Sequence, residues 1–499
     1  MFTSKKTSFQ SPNQSDMKRI AFLLLSFFIL SLSTARAGHM SGGEIQWKKV
    51  GVDSFLVSFI VYRNCSGVAL NSVSLTVGSS CGKRTLSLTK GFSTDVTPVC
   101  KSQCSKCTSP SCSYLYGFEA TEFTAILNVR PWRKSSCCEV SLAYNICCRD
   151  YTTNLSGSGA FYIDATMNIC LAGSNSSPIF KQDPINILCI GQDVRINIGA
   201  HDRDTDSLTQ SLTDSLVFSL GNPKTSATAH VSYVSGYSYD LPISYLGSPK
   251  SYLAFPRGFH FDSLSGELLF RPMQAGTYQM AFKVEEYRNG KKIGEVIREF
   301  YTIVQKCPNN DPPAISTVNN LGNQKVEITT CPGKENCFFV EIKDSDRKDT
   351  LYYSYESNLP NFPNQPKTVI QNGDSIKICY TPDSASKAFG KYYIDINIED
   401  DACPIPGKSS KRVSFNIGKP APPELVLAKK VNNCGAYKYE LKNKNGGVFT
   451  EVRWTIDGLK VPSDGVTMDY NFSSKGDFIV KAQVNDCYNS IVTDTVRIT

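Results

Sequence analysis

The chain has 499 residues, 20% of them charged and 41% apolar, with 19 cysteines and a formal charge of +8. That length makes several domains at about 100–150 residues each, the composition excludes wholesale disorder, and 34 glycines and 25 prolines without period exclude a collagen-like fibre. The charge identifies no nucleic-acid or anionic-membrane partner, because residues 1–37 hold five bases against one acid and so carry half of it.

Lys18-Arg19 precede an apolar run over residues 20–32, interrupted only by Ser26 and Ser31, and Ala35-Arg36-Ala37 follow it. A basic start, a short apolar stretch and small residues before Gly38 make residues 1–37 a secretory signal peptide, too short to span a bilayer. No later stretch is long and apolar enough to span one. Export sets the expected localisation as secreted or outer cell surface. It also turns the cysteines into presumed disulfides rather than metal ligands. Eleven of them crowd residues 65–170.

The mature chain reads as a succession of strands. Residues 55–62, 194–198, 278–284, 393–398 and 478–484 are rich in Val, Ile, Phe and Tyr, several alternate apolar with polar, and turn residues separate them. The fold class expected is all-β, four tandem β-sandwich domains. Proline-marked breaks at 175–178, 309–313 and 419–423 divide it into a Cys-rich domain (38–172), two related sandwiches (173–307 and 308–419) and a last sandwich (420–499). The middle two repeat one order of features. Each has a strand, an acidic turn (Asp202, Asp204, Asp206; Asp344, Asp346, Asp349), a second strand, and later a strand ending in acids (Glu285-Glu286; Glu399-Asp400-Asp401).

His39-Met40-Ser41-Gly42-Gly43-Glu44-Ile45 with Val61-Tyr62-Arg63-Asn64-Cys65 resembles the opening of large Bacteroidetes surface proteins, the gliding-motility-associated or type IX-secreted proteins that carry PKD-type repeats. Asn175-Ser176-Ser177-Pro178, the 202–206 turn, 262–268, Gly276-Thr277-Tyr278 and 286–290 resemble cadherin-like or Ig-like modules, and 401–407 closes the third segment in the same style. Trp454-Thr455-Ile456-Asp457-Gly458 and Gly476-Asp477-Phe478 are similar to a PKD-type domain, without the glycine-aspartate-glycine turn usual after the tryptophan strand. The resemblance implies a C-terminal sorting domain. The sequence stops at Thr499 after a strand-like run, so it reads as a fragment.

The two acidic turns are the best candidates for chemistry. Alternating carboxylates converge on a hard cation, and Ca²⁺ takes six to eight oxygens. An EF-hand is excluded, since Ser207 holds its glycine position and Thr213 its glutamate position. The cadherin-like resemblance adds Asn309, Asp311, Glu285 and Glu286 as further ligands and gives the ion a role in stiffening joints. The plainer alternative is solvated turn acids. Cys100, Cys104, Cys107 and Cys112 have a spacing open to zinc, but export and the absence of a nearby histidine favour disulfides. Cys189 with Cys307, and Cys434 with Cys487, are the expected bridges of the second and last segments. Cys331, Cys337, Cys379 and Cys403 leave three connectivities open. The adjacent pairs Cys137-Cys138 and Cys147-Cys148 should each split between two partners. Eleven being odd, one thiol of the first segment is free, bonded outside it or joined to another chain.

None of the four histidines falls in a metal-binding spacing, and no nucleophile elbow, P-loop or dinucleotide fingerprint occurs. The expected function is therefore non-catalytic: an exported adhesion or structural protein with a protein or polysaccharide ligand at the cell surface. The alternative is an accessory glycan-binding protein beside secreted hydrolases.

Overall fold

The computed structural model describes residues 40–171, 175–180, 182, 184, 186–197, 199–202, 204, 214–247, 253–307, 310–318, 326–330, 333, 335–346, 348–357, 359, 367–371, 375–382, 391–417, 424–433, 435–444, 452–463, 465–484 and 490–499. It is nearly all β, with one short helix, Arg130–Lys134, among the described residues. No helix among the described residues is long and apolar enough to cross a membrane.

The first segment supplies β1 (Met40–Gly51), β2 (Ser54–Asn64), β3 (Val73–Ser79), β4 (Gly82–Asp95), β5 (Phe118–Asn128), β6 (Glu139–Ile146) and β7 (Phe161–Asn168). Strict alternation decides which face is inside: Phe55, Val57, Phe59 and Val61 of β2 are all buried in one core. The strands pair in the order β1-β2-β5-β4-β3-β6-β7, and the next partner is the strand Lys291–Gln305 of the second segment. That strand meets β7 through residues 294–296 and β1 through Gly43↔Glu299 and Glu44↔Arg298. The hydrogen-bonded path therefore closes on itself, leaving β1 with a neighbour on both sides and no open edge.

Closure requires an unusually close approach at β1. A Cβ on Gly42 would run into the carbonyl of Glu299, so only glycine fits there. Residues 40–47 are buried throughout, polar ones included. Glu44 is held by Arg298, whose Nη2 donates to Oε1 at 2.8 Å and whose Nε donates to Oε2. Gln46 Nε2 donates to the same Oε1 at 2.8 Å. The next residue, Glu299, points to the other side and takes a fork from Arg149, Nε at 2.5 Å and Nη2 at 2.8 Å.

The division expected after residue 172 thus coincides with no break. One sheet and one hydrophobic core run from Met40 to Val304, and the second segment's small three-stranded sheet (Val194–Asn197, Glu267–Phe270, Phe259–Phe261) packs onto that same core through Val194, Leu268 and Phe270. The reason is the long hairpin Gly276–Arg288/Lys291–Gln305, whose second strand completes the first segment's ring.

The third and fourth segments are sandwiches with cores of their own. In the third, Ala314–Val318, Asn336–Lys343, Ser375–Tyr380 and Lys367–Gln371 face Val326–Thr330, Lys408–Ile417, Lys391–Glu399 and Tyr352–Ser357 across a core of Ile, Val and aromatic side chains. In the fourth, two sheets of three and four strands close over Trp454, whose Nε1 donates to the Gly465 carbonyl at 2.8 Å. Its tight turn Asp457-Gly458 has φ of +49° and +83°, the left-handed pair that a two-residue hairpin between Val452–Ile456 and Leu459–Lys460 demands.

The third sandwich is docked to the second segment, not merely strung after it. Ile394, Ile396 and Ile398 face its own core, while Asp395 is buried on the other side. There Asp395 takes a fork from Arg412, 2.6 Å to each oxygen, and Oδ1 also accepts from Asn197 Nδ2 at 2.8 Å. Asn197 N donates to Ser410 Oγ at 2.8 Å, and Arg412 N to Glu267 Oε1 at 2.9 Å.

All sixteen described cysteines are disulfide-bonded. Within the first segment the pairs are Cys65–Cys107, Cys81–Cys137, Cys104–Cys112, Cys138–Cys170 and Cys147–Cys148. Its odd cysteine, Cys100, bonds Cys403 of the third segment, 303 residues away. Cys403 is thereby removed from the pairings expected inside the third segment, where Cys337 bonds Cys379; Cys331 lies outside the described residues. Cys137 and Cys138 bond different partners, Cys81 and Cys170, although both precede β6, whereas Cys147 and Cys148, also expected to split, bond each other. That expectation fails because both lie beyond the end of β6, where strand alternation no longer applies.

Arg298→Met would leave Glu44 as an uncompensated buried charge, at a cost of about 3–5 kcal/mol. The expected outcome in urea unfolding is a loss of that size, partly recovered when Glu44→Gln is combined with it.

Candidate cation sites

Two acid clusters stand at corresponding places in the second and third segments. In the first, Asp202 and Asp204 follow the short strand Ala200–His201, Asp214 precedes the strand Ser215–Leu220, and Glu286 lies near the end of Gly276–Arg288. Pairing of those two strands, with Leu216 opposite Glu286, carries the strand-end acid to the turn acids. Carboxylate oxygens of Asp202, Asp214 and Glu286 lie within 4.8 Å of one another, and all three residues are buried.

The connecting segment locks onto them. Asn175 Nδ2 donates to Glu286 Oε2 at 2.5 Å and Ser176 N to Asp204 Oδ2 at 2.7 Å, while Asp204 N donates to Asp202 Oδ1 at 2.8 Å. Arg288 forks Asp214 at 2.7 and 2.6 Å and reaches Asn175 Oδ1 at 2.8 Å. Glu286 Oε1 is buried with no hydrogen-bond partner. Burial pushes Asp202 up to about 7, with the charges of Asp214 and Asp204 adding to it. Burial likewise holds Glu286 well above the usual carboxylate range, reinforced by Asp202 and Asp214.

The second cluster repeats the wiring. Asp346 N donates to Asp344 Oδ1 at 2.8 Å, Asp311 N to Asp346 Oδ2 at 2.7 Å, and Asn310 Nδ2 to Asp400 Oδ2 at 3.1 Å. Carboxylate oxygens of Asp344, Asp346 and Asp349 lie within 4.8 Å of one another. Asp400, just past Lys391–Glu399, is buried and accepts from Ala402 N at 3.0 Å and Gly407 N at 2.8 Å. Asp344 Oδ2 and Asn310 Oδ1 are buried without partners. Thus Asn175-Ser176, Asp202, Asp204 and Glu286 of one segment correspond to Asn310-Asp311, Asp344, Asp346 and Asp400 of the next. Like charges at these separations repel strongly in a poorly solvated site. Inward-facing oxygens without donors are suited to a hard cation.

Of the residues singled out from sequence, Asp202, Asp204, Asp344, Asp346 and Asp349 all stand in these clusters, as does Asp311, through its backbone. Asp206 and Asn309 lie outside the described residues. Glu285 is not a member: one position from Glu286, it points to the opposite face and pairs with Lys292 at 2.7 Å and Lys283 at 3.5 Å. Asp214 was missed, having only its place before a strand to mark it. Asp400 was visible as part of the repeat, and Asn175 and Asn310 as parts of the proline-marked breaks, but not as site residues. Cys189 and Cys307 are joined, with Cα atoms 5.4 Å apart; Cys434 and Cys487 lie outside the described residues. The four cysteines with a spacing open to zinc are consumed by three separate disulfides.

No protein family and no curated protein matches this chain. Among solved structures it is similar to the N-terminal four Ig domains of Dscam1 isoform 6.44 at 10% identity, covering 92% of this chain and 99% of that one with a TM-score of 0.17. It is similar to the N-terminal Ig1-2 module of the Drosophila receptor protein tyrosine phosphatase DLAR at 11% identity, covering 48% and 98% with a TM-score of 0.19. A nucleoside hydrolase-related hypothetical protein from Saccharophagus degradans, associated with carbohydrate metabolism, matches at 17% identity over 24% of this chain and 35% of its own, with a TM-score of 0.16. Likenesses this slight carry no argument about function.

Glu286→Gln keeps the acceptor for Asn175 and removes one of the crowded charges. In chelator at pH 8 the variant is expected to melt a few degrees above the parent by scanning calorimetry; a lower melting temperature would show that the cluster's charges do not oppose one another.

Proposed function

We propose that this is an exported, non-catalytic structural or adhesive protein of the cell surface or surrounding medium, whose serial β domains are stiffened by Ca²⁺ at the two acid clusters. The observation that carries this reading is the bonding of every described cysteine, including the bridge from Cys100 to Cys403. Disulfides at this density belong to an oxidising compartment. A link spanning 303 residues ties the third segment to the first and constrains the unfolded chain, which suits a structural role. The type IX route and gliding-motility association implied by the opening motif belong to the same proposal.

Calcium is supported by the paired geometry above and by extracellular modules binding it at about 10⁻⁴–10⁻³ M. A single cation at each cluster would be held by Asp202, Asp204, Asp214 and Glu286, or by Asp344, Asp346, Asp349 and Asp400. Binding cancels the repulsion among these groups and ties the connecting segments, at Asn175-Ser176 and Asn310-Asp311, to the domains that follow them.

A second reading, glycan binding, is favoured by a cleft of about 600 Å³ between the first two segments and the third. Tyr352 and Tyr353 stand exposed on its wall beside Gln182, Asn397 and Glu356, an arrangement of ring faces and amides suited to sugars.

Melting temperature in about 1 mM Ca²⁺ is expected to exceed that in chelator, and protease resistance to rise with it; no change in either would overturn the calcium reading. Beads coated with the protein should adhere to cells or to one another, and an inert coat would overturn the adhesive reading. Retention on polysaccharide columns that is lost in a Tyr352→Ala, Tyr353→Ala variant would instead establish the glycan-binding one.

A further inference from the structure

We infer that the two clusters hold their cations in different kinetic classes: the first keeps a buried ion as part of the fold, and the second exchanges its ion with the medium. This rests on the calcium reading and concerns how each ion leaves.

At the first cluster the ligands are enclosed. Asp202, Asp214 and Glu286 are 6%, 8% and 0% exposed, and they sit at the edge of the core shared by the first two segments. Asp214 and Glu286 are carried by two directly paired strand regions, so their separation changes only if that pairing opens. Arg288 closes one wall, bridging Asp214 to Asn175 of the connecting segment. Its single positive charge is set against four carboxylates and does not satisfy Glu286, whose Oε1 is wholly buried and turned inward with no donor. An ion leaving this place abandons converging carboxylates in a poorly solvated interior, and water reaches them only through local opening of the sheet.

At the second cluster Asp400 is buried, but the turn acids stand nearer the surface than their counterparts in the first. Asp344, Asp346 and Asp349 are only half buried. They occupy a turn, and Asp311 opposite them is exposed and joins through its backbone from a connecting segment. Water replaces the ion there without disturbing a strand pair. Loss of that ion frees the turn and the connecting segment, but the third sandwich stays docked, because the Cys100–Cys403 bridge and the Asp395–Arg412–Asn197 contacts do not involve it. External Ca²⁺ thus regulates local order at the second cluster while the first remains filled.

The test uses the full chain purified in Ca²⁺, exposed briefly to chelator, desalted and assayed for bound calcium by mass spectrometry. The expected result is two ions per chain before chelation and one after. Glu286→Gln, or Asp202→Asn should that variant not accumulate, loses the retained ion and keeps the exchangeable one; Asp344→Asn does the reverse. Simultaneous loss of both ions on brief chelation overturns the inference, as does loss of the retained ion in Asp344→Asn. A chain that binds two ions which leave together preserves the calcium reading alone. A chain with no calcium before chelation overturns that reading and this inference with it.

Discussion

The strand Lys291–Gln305 is the constraint on which the larger core depends, and Arg298 and Glu299 are why. Adjacent in sequence, they project to opposite sides of the strand, and each is nearly inaccessible to solvent. Each is matched by one opposite charge from the first segment, Glu44 and Arg149, in a forked geometry that satisfies both partners. Buried ion pairs add little net stability, but a mismatched one is prohibitive. The two pairs therefore specify register: slipping the strand by one residue would present Arg298 to Arg149 and Glu299 to Glu44. That discrimination aligns the second segment's hairpin with β1 and β7, closes the ring, and merges the first two segments around one core.

The remaining joints follow a graded scheme. The third segment is tied to the first by the Cys100–Cys403 disulfide and to the second by the chain and by a buried polar interface centred on Asp395 and Arg412. That interface is costly to desolvate and is cross-bonded through Asn197, Ser410, Arg412 and Glu267, so it holds a single docking geometry rather than a loose contact. On this foundation each acid cluster is hydrogen-bonded to a connecting segment, at Asn175-Ser176 and at Asn310-Asp311. Covalent and buried contacts hold the cores together. The tandem arrangement expected from the sequence is thus a cross-linked framework.

Sequence and structure diverged where non-local pairing decided the outcome. The DxD turns were legible because alternating acids flanked by apolar strands are a local pattern, and it occurs twice. Glu286 and Asp214 became neighbours only through antiparallel pairing of strands distant in sequence, which periodicity does not encode. Glu285 and Glu286 look equivalent in the chain; the face each presents separates an exposed lysine partner from a buried acid cluster. The odd cysteine count signalled a partner outside the segment, but which one depended on how the third sandwich docks. The pair Cys147-Cys148 misled because the end of β6 falls one residue earlier.

By itself the sequence determined the all-β class, the positions of most strands, the repeated acidic turns and the oxidising chemistry of its cysteines. These are legible because side-chain alternation, turn residues and cysteine content act over a few residues or over composition as a whole. Only the tertiary structure decided that the first two segments share a ring and a core, that Cys100 reaches Cys403, and that one acid cluster is enclosed while the turn acids of its counterpart stand nearer the surface. Each of those depends on which strand lies beside which, and burial and partner choice exist only once that neighbour is in place.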